Sequence, residues 1–418
     1  MNPTQDRNPT GMRPPNPNAA YADAPRTAAW PAAVAGAVAG AVAIGISELL
    51  AGLVPGVPSL VLAVGNLVIS LQPPGAKDLV TSLFGTSDKT ALNAGVVAAA
   101  LLVAAVTGLL GRADFGRAWR ILFAFGLLAL VAALLQPLIS PPLAALNALV
   151  ATAGAIGTLR LLLGDAGFLV SDEARGAAGG AAGGAAGGAA NPARTAGSMP
   201  DWNRRRFLLR AGGFLGAALV AGSLGRLLLE RQHPAGAPAT VTLPVPTEKA
   251  APLTADESLA APGITPLVTP NSRFYRIDTE LLVPQVDESS WRLKVTGMVD
   301  RPFTLTYAEL LALPLFEQYV TLACVSNPVG GKLIGNTLWT GVHLKQVLAE
   351  AGVQAGATQI VGRSVDGFTV GFPTAWALAP GREPMIAVGM NRVPLPAEHG
   401  YPARLIVPGL FGYVSGTK

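Results

Sequence analysis

Two hydrophobic patterns divide this chain. Between residues 28 and 163, long apolar runs follow one another with almost no charge: Ala28–Leu50, Ala91–Leu110, Trp119–Leu138 and Leu143–Leu163. Each has about the 20 apolar residues that a helix needs to cross a bilayer. A shorter run, VPSLVLAVGNLVISLQPPG, is broken by prolines. Another long apolar stretch, Phe207–Leu229, follows a basic cluster. Beyond it the period shortens. WRLKVTG alternates as a strand does, and FTLTYAELLAL predicts a short strand running into a helix capped by Thr306. FEQYVTLACV is rich in β-formers, and GVHLKQVLAEAG has the apolar spacing of an amphipathic helix stopped at Gly352. TQIVGRSVDGFTVGFP predicts two strands about an Asp366-Gly367 turn, and PMIAVGMNRVPL and ARLIVPGLFGY predict further strands. The expected fold class is an N-terminal all-α transmembrane bundle joined to a mixed α+β domain.

Composition supports two bodies in two solvents. Half of the 418 residues are hydrophobic and only 13% are charged, against about a quarter charged in soluble domains. Basic residues set an expected orientation, because cytoplasmic loops carry excess Lys and Arg. Arg7, Arg13 and Arg26 precede the first run; Arg112, Arg117 and Arg120 lie in the segment GRADFGRAWR, where the second run gives way to the third; Arg175, Arg194 and Arg204–Arg206 follow the fourth. All three segments lie inside if the proline-broken run does not cross, so residues 53–86 are expected to be a re-entrant or interfacial piece on the outer face. The remaining expected segments are a disordered cytoplasmic tail (1–27), the membrane domain (28–163), a Gly/Ala linker (164–203), a basic helix (204–230), an extended Pro-rich tether (231–263) and the outer domain (264–418). The basic helix has two readings: a fifth span with its positive flank, or an internal twin-arginine export signal in Arg204-Arg205-Arg206-Phe207-Leu208. Both put the last domain outside the cytoplasm, on the outer side of a multi-pass inner-membrane protein.

The chemistry narrows to few residues. Cys324 is the only cysteine, and histidines occur at 233, 343 and 399 alone. With no histidine or cysteine before residue 233, the membrane helices are expected to hold neither His-ligated haem nor an iron–sulfur cluster. No Lys/Arg cluster interleaved with aromatics points to nucleic acid. A lone Cys in an apolar strand is usually an inert packing residue. Here, however, Ser326, Asn327, Pro328, Gly330 and Gly331 follow it in a tight turn, and a thiolate at such a turn suits a soft metal. Glu48, near the outer end of the first span, is a candidate functional carboxylate but is read in preference as a snorkelling residue at the interface, and the spans carry too few polar residues for a transporter's substrate path.

At this point the sequence resembles the sulfite-oxidase-type molybdopterin oxidoreductases, in their bacterial membrane-attached branch. The resemblance covers residues 264–418 and rests on TPNSRFYRID, WRLKVTG, TLACVSNPVGG, WTGVHL, DGFTVGFP and MNRVPLPAEHGYPARLIVPGLFGYVSGTK, in order. It implies that Cys324 ligates molybdenum beside a pterin dithiolene and is the catalytic metal ligand. It implies further that Asn271, Tyr275 and Arg276 line the pterin, that Ser364 contacts the cofactor, that His399 and Arg404 hold pterin and phosphate, and that Gly416, Thr417 and Lys418 form the phosphate loop. An exported molybdopterin domain crosses the membrane folded, which favours the twin-arginine reading. The sequence departs from the pattern where Ser326-Asn327-Pro328 stands in place of a substrate-binding arginine after the cysteine, with Arg363 a distant substitute. Sulfite oxidation is therefore ranked behind oxygen-atom transfer on a small sulfur or nitrogen compound, of sulfoxide-reductase type. Electrons are expected from another protein or a quinol. A membrane-anchored protein with a decayed cofactor domain is the non-enzymatic alternative. The chain also stops at Lys418, inside the phosphate-loop motif, as a C-terminally truncated member would.

Overall fold

A computed structural model describes residues 29–73, 88–137, 139–169 and 201–417, apart from 234, 235, 237, 239, 240, 259, 260, 263 and 278–280. The tail at 1–27, most of the Gly/Ala linker and Lys418 lie outside the described residues. Six N-terminal helices are described: α1 (Trp30–Leu53), α2 (Leu60–Ser70), α3 (Asp88–Gly111), α4 (Phe115–Leu134), α5 (Pro141–Asp165) and α6 (Asp201–Gln232). All except α2 are long and apolar enough to cross a membrane; the 11 residues of α2 are too few. The basic cluster of Arg204–Arg206 is part of the continuous helix α6.

The chain divides into two compact units. The first is drawn from residues 1–45, 97–126 and 150–220. Its core is Ala32, Ala35, Ala39, Leu159, Leu162 and Phe207 with their neighbours. Helices here meet through small residues: a Cβ on Gly36 would lie 2.0 Å from the carbonyl oxygen of Ala104, and one on Gly108 would lie 2.1 Å from that of Ala32. Without a hydrophobic force between helices in lipid, such close backbone approach is a main source of association. Asp165 pairs with Arg206 at 3.2 Å and Arg210 at 3.0 Å.

The second unit takes in residues 46–96, 127–149 and 221–418. At its helical end, Ala51, Val57, Leu62 and Leu229 pack together. Polar groups are buried beside them. Glu48 is 6% exposed and accepts a hydrogen bond from the Ser59 hydroxyl. Asn147 donates to the Pro58 carbonyl at 2.8 Å and to the Ser47 hydroxyl at 3.2 Å. The interfacial role expected for Glu48 is thus corrected. Its partner is the Ser59 N-cap of α2, eleven residues on, and no periodicity of the sequence links the two.

The rest of this unit is the α+β domain. β1 (Arg292–Val295) pairs antiparallel with β2 (Phe303–Thr306). Thr306 then caps α7 (Tyr307–Leu311) with a full capping box to Glu309. The principal sheet runs β3 (Phe316–Ala323), β4 (Ile334–His343), β7 (Met385–Met390) and β8 (Val393–Pro394), with β9 (Arg404–Ile406) also on β7. All neighbours are antiparallel, and a bulge interrupts β4 against β7 at Thr340/Gly341. Every residue of β7 is buried, which explains its unbroken apolar run. α8 (Leu344–Ala351) ends on Gly352 at φ +69°, a left-handed cap that glycine adopts without strain. β5 (Gln359–Arg363) and β6 (Thr369–Pro373) form the expected hairpin, followed by α9 (Thr374–Leu378). The stretch expected as a free tether instead joins the domain in part: Thr247 N–H donates to Leu315 O at 2.8 Å and Glu317 N–H to Glu248 O at 2.9 Å.

Candidate functional site

β3 delivers Cys324 one residue beyond its last paired position, Ala323 opposite Ile334. The turn then closes on itself. Cys324 N–H donates to Leu333 O at 2.9 Å and Asn327 N–H to Cys324 O at 3.0 Å. The Asn327 side chain accepts from Leu333 N–H at 2.8 Å, and Gly330 takes φ +74°. The thiol is 8% exposed, 3.1 Å from the Ser326 hydroxyl. Among the described residues no group of three or more His, Cys, Asp or Glu gathers to hold a metal. A metal on Cys324 would therefore draw its other ligands from a non-protein group, as a dithiolene provides.

Two further segments converge on this turn. The first is 271–276. Phe274 lies edge-on to Trp339 (centroids 5.9 Å) and to His399 (5.5 Å), and stacks on Tyr275 at 5.3 Å. Gly335 makes room for it, since a Cβ there would lie 2.6 Å from the Phe274 ring. The second is the C-terminal loop. Gly412 N–H donates to Ala323 O at 2.7 Å, and a Cβ on Gly412 would fall 2.0 Å from the Tyr275 hydroxyl. Burial pushes the Tyr275 phenol up to about 12; Arg404 opposes this and Cys324 adds to it. The phenol therefore stays protonated at neutral pH.

Arg404 organises the loop. Its Nε donates to Ser415 O at 2.5 Å and its Nη1 to His399 O at 3.0 Å, and its guanidinium lies 5.7 Å from the Trp339 ring centroid. His399 is 3% exposed, and its Nε2 donates to the Asn271 carbonyl at 2.9 Å. Burial holds the imidazole below its usual range, the Asn271 bond opposes this, and Arg404 and Arg276 add to the lowering. Asn271 itself accepts from Asn391 at 2.7 Å and donates to Met390 O at 3.2 Å. Asn391, at φ +51°, also accepts from the Thr337 hydroxyl at 2.7 Å. Asn391 was missed in the sequence reading; the MN-R turn between two strands was the available signal.

Ser364 is 5% exposed and lies in the β5–β6 turn, where its N–H donates to Phe368 O at 2.8 Å. That hairpin meets the phosphate-loop positions. A Cβ on Gly416 would lie 3.1 Å from the Phe368 ring, and one on Gly362 would lie 2.5 Å from the Thr417 hydroxyl. Among the described residues the Thr417 hydroxyl, itself buried, has no hydrogen-bond partner, as expected of a group whose acceptor comes from a ligand. The thiol, the protonated phenol, the guanidinium and this orphaned hydroxyl fit a pterin cofactor ligated by a single cysteine.

This assembly of one thiol, an arginine and a glycine-containing loop is compatible with a cofactor held by a single cysteine. Residues 280–418 match the family model described as the oxidoreductase molybdopterin binding domain. The NADH nitrate reductase 1 of Oryza sativa subsp. japonica is 31% identical over 171 residues, 35% of this chain and 19% of that protein. The mitochondrial sulfite oxidase of Homo sapiens is 33% identical over 168 residues, 35% of this chain and 31% of that protein. The chain thus spans less than a third of either relative. The solved sulfane dehydrogenase SoxCD from Paracoccus pantotrophus aligns at 26% identity over 37% of this chain and 42% of that one, with a TM-score of 0.34. The matched domain is thus similar to the molybdopterin-binding parts of nitrate reductase and sulfite oxidase, and the cofactor this similarity implies is molybdenum-molybdopterin.

Proposed function

We propose that the chain is a membrane-anchored oxidoreductase that moves an oxygen atom to or from a small sulfur- or nitrogen-bearing substrate, with sulfoxide reduction favoured. The observation that carries this reading is the meeting of the Cys324 strand end, Tyr275 and the C-terminal loop held by Arg404, through the Gly412 N–H bond to Ala323 O and the close approach of Gly412 to the Tyr275 hydroxyl. Molybdenum bound through Cys324 would supply the two-electron oxygen-transfer chemistry. Tyr275, held as a neutral phenol, is a hydrogen-bond donor beside the thiol. Arg404 and Arg276 would balance the anionic cofactor, and Asn271, Ser364, His399, Gly416, Thr417 and Lys418 would line it. The preference for a neutral substrate rests on the turn's surroundings. No arginine stands in Ser326-Asn327-Pro328, while Val325, Val329 and Phe411 are exposed on the flanking loops. An apolar rim with no arginine in the turn that follows the cysteine suits a sulfoxide better than sulfite or nitrate.

The membrane setting is part of the same proposal. Five helices have spanning length and composition, and Arg112 after α3, Arg117 and Arg120 in the first turns of α4 and the basic residues at the start of α6 are taken to mark the cytoplasmic ends. That orientation carries the cofactor domain to the extracytoplasmic side, with the Arg204–Arg206 segment serving as span flank or twin-arginine signal. Periplasmic reporters fused after His233 should be active, and those fused at Arg112 silent; the reverse pattern overturns the orientation.

Metal analysis tests the chemistry. The purified chain should hold about one molybdenum, and Cys324→Ser should lose it while the thermal transition is kept. Turnover of methionine sulfoxide above that of sulfite and nitrate, driven by a reduced dye, supports the substrate class. A metal-free wild-type chain sinks the enzymatic reading, and exclusive turnover of sulfite moves it to sulfite oxidation.

A further inference from the structure

We infer that a cleft in the second unit is a binding site for the head group of a membrane hydroquinone, the electron donor that the proposed function requires. This inference rests on the oxidoreductase reading above. The cleft has a volume of about 270 Å³, near the small end of ligand pockets, which run from about 300 Å³ upward. That is room for one substituted ring. Its walls come from the chain after α1 (Gly56–Ser59), the chain after α4 (Gln136, Pro137, Ile139), the end of α6 (Leu229, Gln232, His233) and, from the cofactor domain, Leu281–Gln285 and Asp366. It therefore lies where three long apolar helices end and the redox domain begins.

The lining selects a class of ligand. Leu62, Leu229, Leu281, Leu282 and Val283 provide apolar faces. Neither Lys nor Arg lines the cleft, and Asp366 does, so a phosphate or lipid head-group anion is disfavoured. Two polar groups suit a ring that alternates between carbonyl and hydroxyl. Among the described residues the buried Gln136 side-chain nitrogen has no hydrogen-bond partner; it can donate to a carbonyl. The His233 Nδ1 donates to Leu229 O at 2.8 Å, which leaves Nε2 of the neutral ring as an acceptor for a hydroxyl. Gln232 is held by its bond to Gly52 O at 2.6 Å, fixing this helix end beside the cleft.

The same wall reaches the cofactor positions. Asp366 sits two residues beyond Ser364 in the β5–β6 turn, and a Cβ on Gly367 would lie 3.8 Å from Pro137. Phe368 of that turn packs on Gly416. A ligand in the cleft would thus lie against the outer side of the hairpin whose other residues touch the phosphate loop. The overall step balances. The hydroquinone gives up two electrons and two protons and becomes the quinone. The oxo-substrate takes up both electrons and both protons, its bond to oxygen breaks, and the oxygen leaves as water.

The test uses the full chain in detergent and a benzoquinone bearing a single isoprenyl unit, titrated by calorimetry. Saturable one-to-one binding is expected, with a loss of at least about tenfold in affinity in Gln136→Leu/His233→Phe and in the cleft-filling Leu282→Trp. Molybdenum content and thermal transition serve as folding controls. No saturable binding in the wild type, or equal affinity in folded variants as micelle partitioning would give, overturns the site. A chain that holds molybdenum without binding the quinone loses only this inference. A chain that binds the quinone without molybdenum keeps the site and loses the oxidoreductase reading.

Discussion

The helical part of the second unit and its sheet domain both bury polar groups, but they solve the problem with different partners. Near the ends of α1 and α5, Glu48 meets Ser59 and Asn147 meets Ser47 side chain to side chain, and Asn147 also donates to the backbone carbonyl of Pro58. Around Cys324, buried side chains mostly meet backbone: His399 with Asn271 O, Arg404 with Ser415 O and His399 O, Asn271 with Met390 O. The packing differs in parallel. The helices approach through absent side chains, whereas the sheet domain is pinned by large ones, Phe274, Trp339 and Tyr275. A helix in lipid satisfies its own backbone and leaves little for a neighbour to bond. A loop at a sheet end has free carbonyls and N–H groups, and side chains used on them fix its shape.

The sharpest way to break this contrast is to add one side chain to the helices. A Cβ on Gly225 of α6 would lie 2.3 Å from the carbonyl carbon and oxygen of Glu48, both backbone. Backbone cannot rotate aside, so α1 and α6 must separate. Gly225→Val should cost at the upper end of the about 1–3 kcal/mol typical of overpacking, measured by unfolding in mixed micelles. Gly213→Val on the same helix, where nothing lies within 4 Å, should cost far less. Equal losses at the two positions would show that helix propensity, not backbone approach, sets the effect.

A smaller effect separates the two regions by pH. His399 is buried and held below its usual range, first by desolvation. Its folded value is depressed, so the unfolded chain binds the proton more readily. The contribution is fully present above the ordinary histidine value of 6.5 and is lost as pH falls from there through the folded value. The slope is at most about 1.4 kcal/mol per pH unit. Differential scanning calorimetry should show the sheet domain's transition falling below pH 6.5, and His399→Gln should flatten that fall. An unchanged slope in the variant would assign the acid sensitivity to other groups.

How much of this was legible in the sequence follows from the same contrast. Local rules located the sheet domain's elements: the Thr306 cap, the Gly352 stop, the hairpin about Asp366-Gly367 and the strand leading to Cys324 all depend on neighbours within a few residues. The expected cofactor positions came from the resemblance carried by ordered motifs, and the fold brings Tyr275 and the strand end at Cys324 together through Gly412. The buried Ser47–Glu48–Ser59–Asn147 group was not legible. Its members lie up to 100 residues apart in segments whose average character is apolar, so a window of hydropathy hides them. Gln136 and His233 escaped for the same reason; each is one polar residue at a helix end, and only the fold brings them to one cleft.

The smallest predicted effect tests whether the sheet domain's local signals are also energetically local. Thr306 accepts from Glu309 N–H at 3.2 Å while the Glu309 carboxylate accepts from Thr306 N–H at 2.7 Å. The Glu309 carboxyl is held below its usual range by the Thr306 N–H and then by its hydroxyl. Thr306→Ala removes the cap of a helix only five residues long, which has little cooperativity of its own. α7 nevertheless seats Leu310 and Tyr307 in the domain core, and tertiary packing supplies most of such a helix's stability. The expected cost is therefore about 1 kcal/mol, read as a drop in the sheet domain's denaturation midpoint, with molybdenum content unchanged because no residue of α7 belongs to the Cys324 turn. A loss of molybdenum in this variant would mean that the cap couples to the cofactor site through the core, and the domain's elements would then be less independent than their local sequence signals imply.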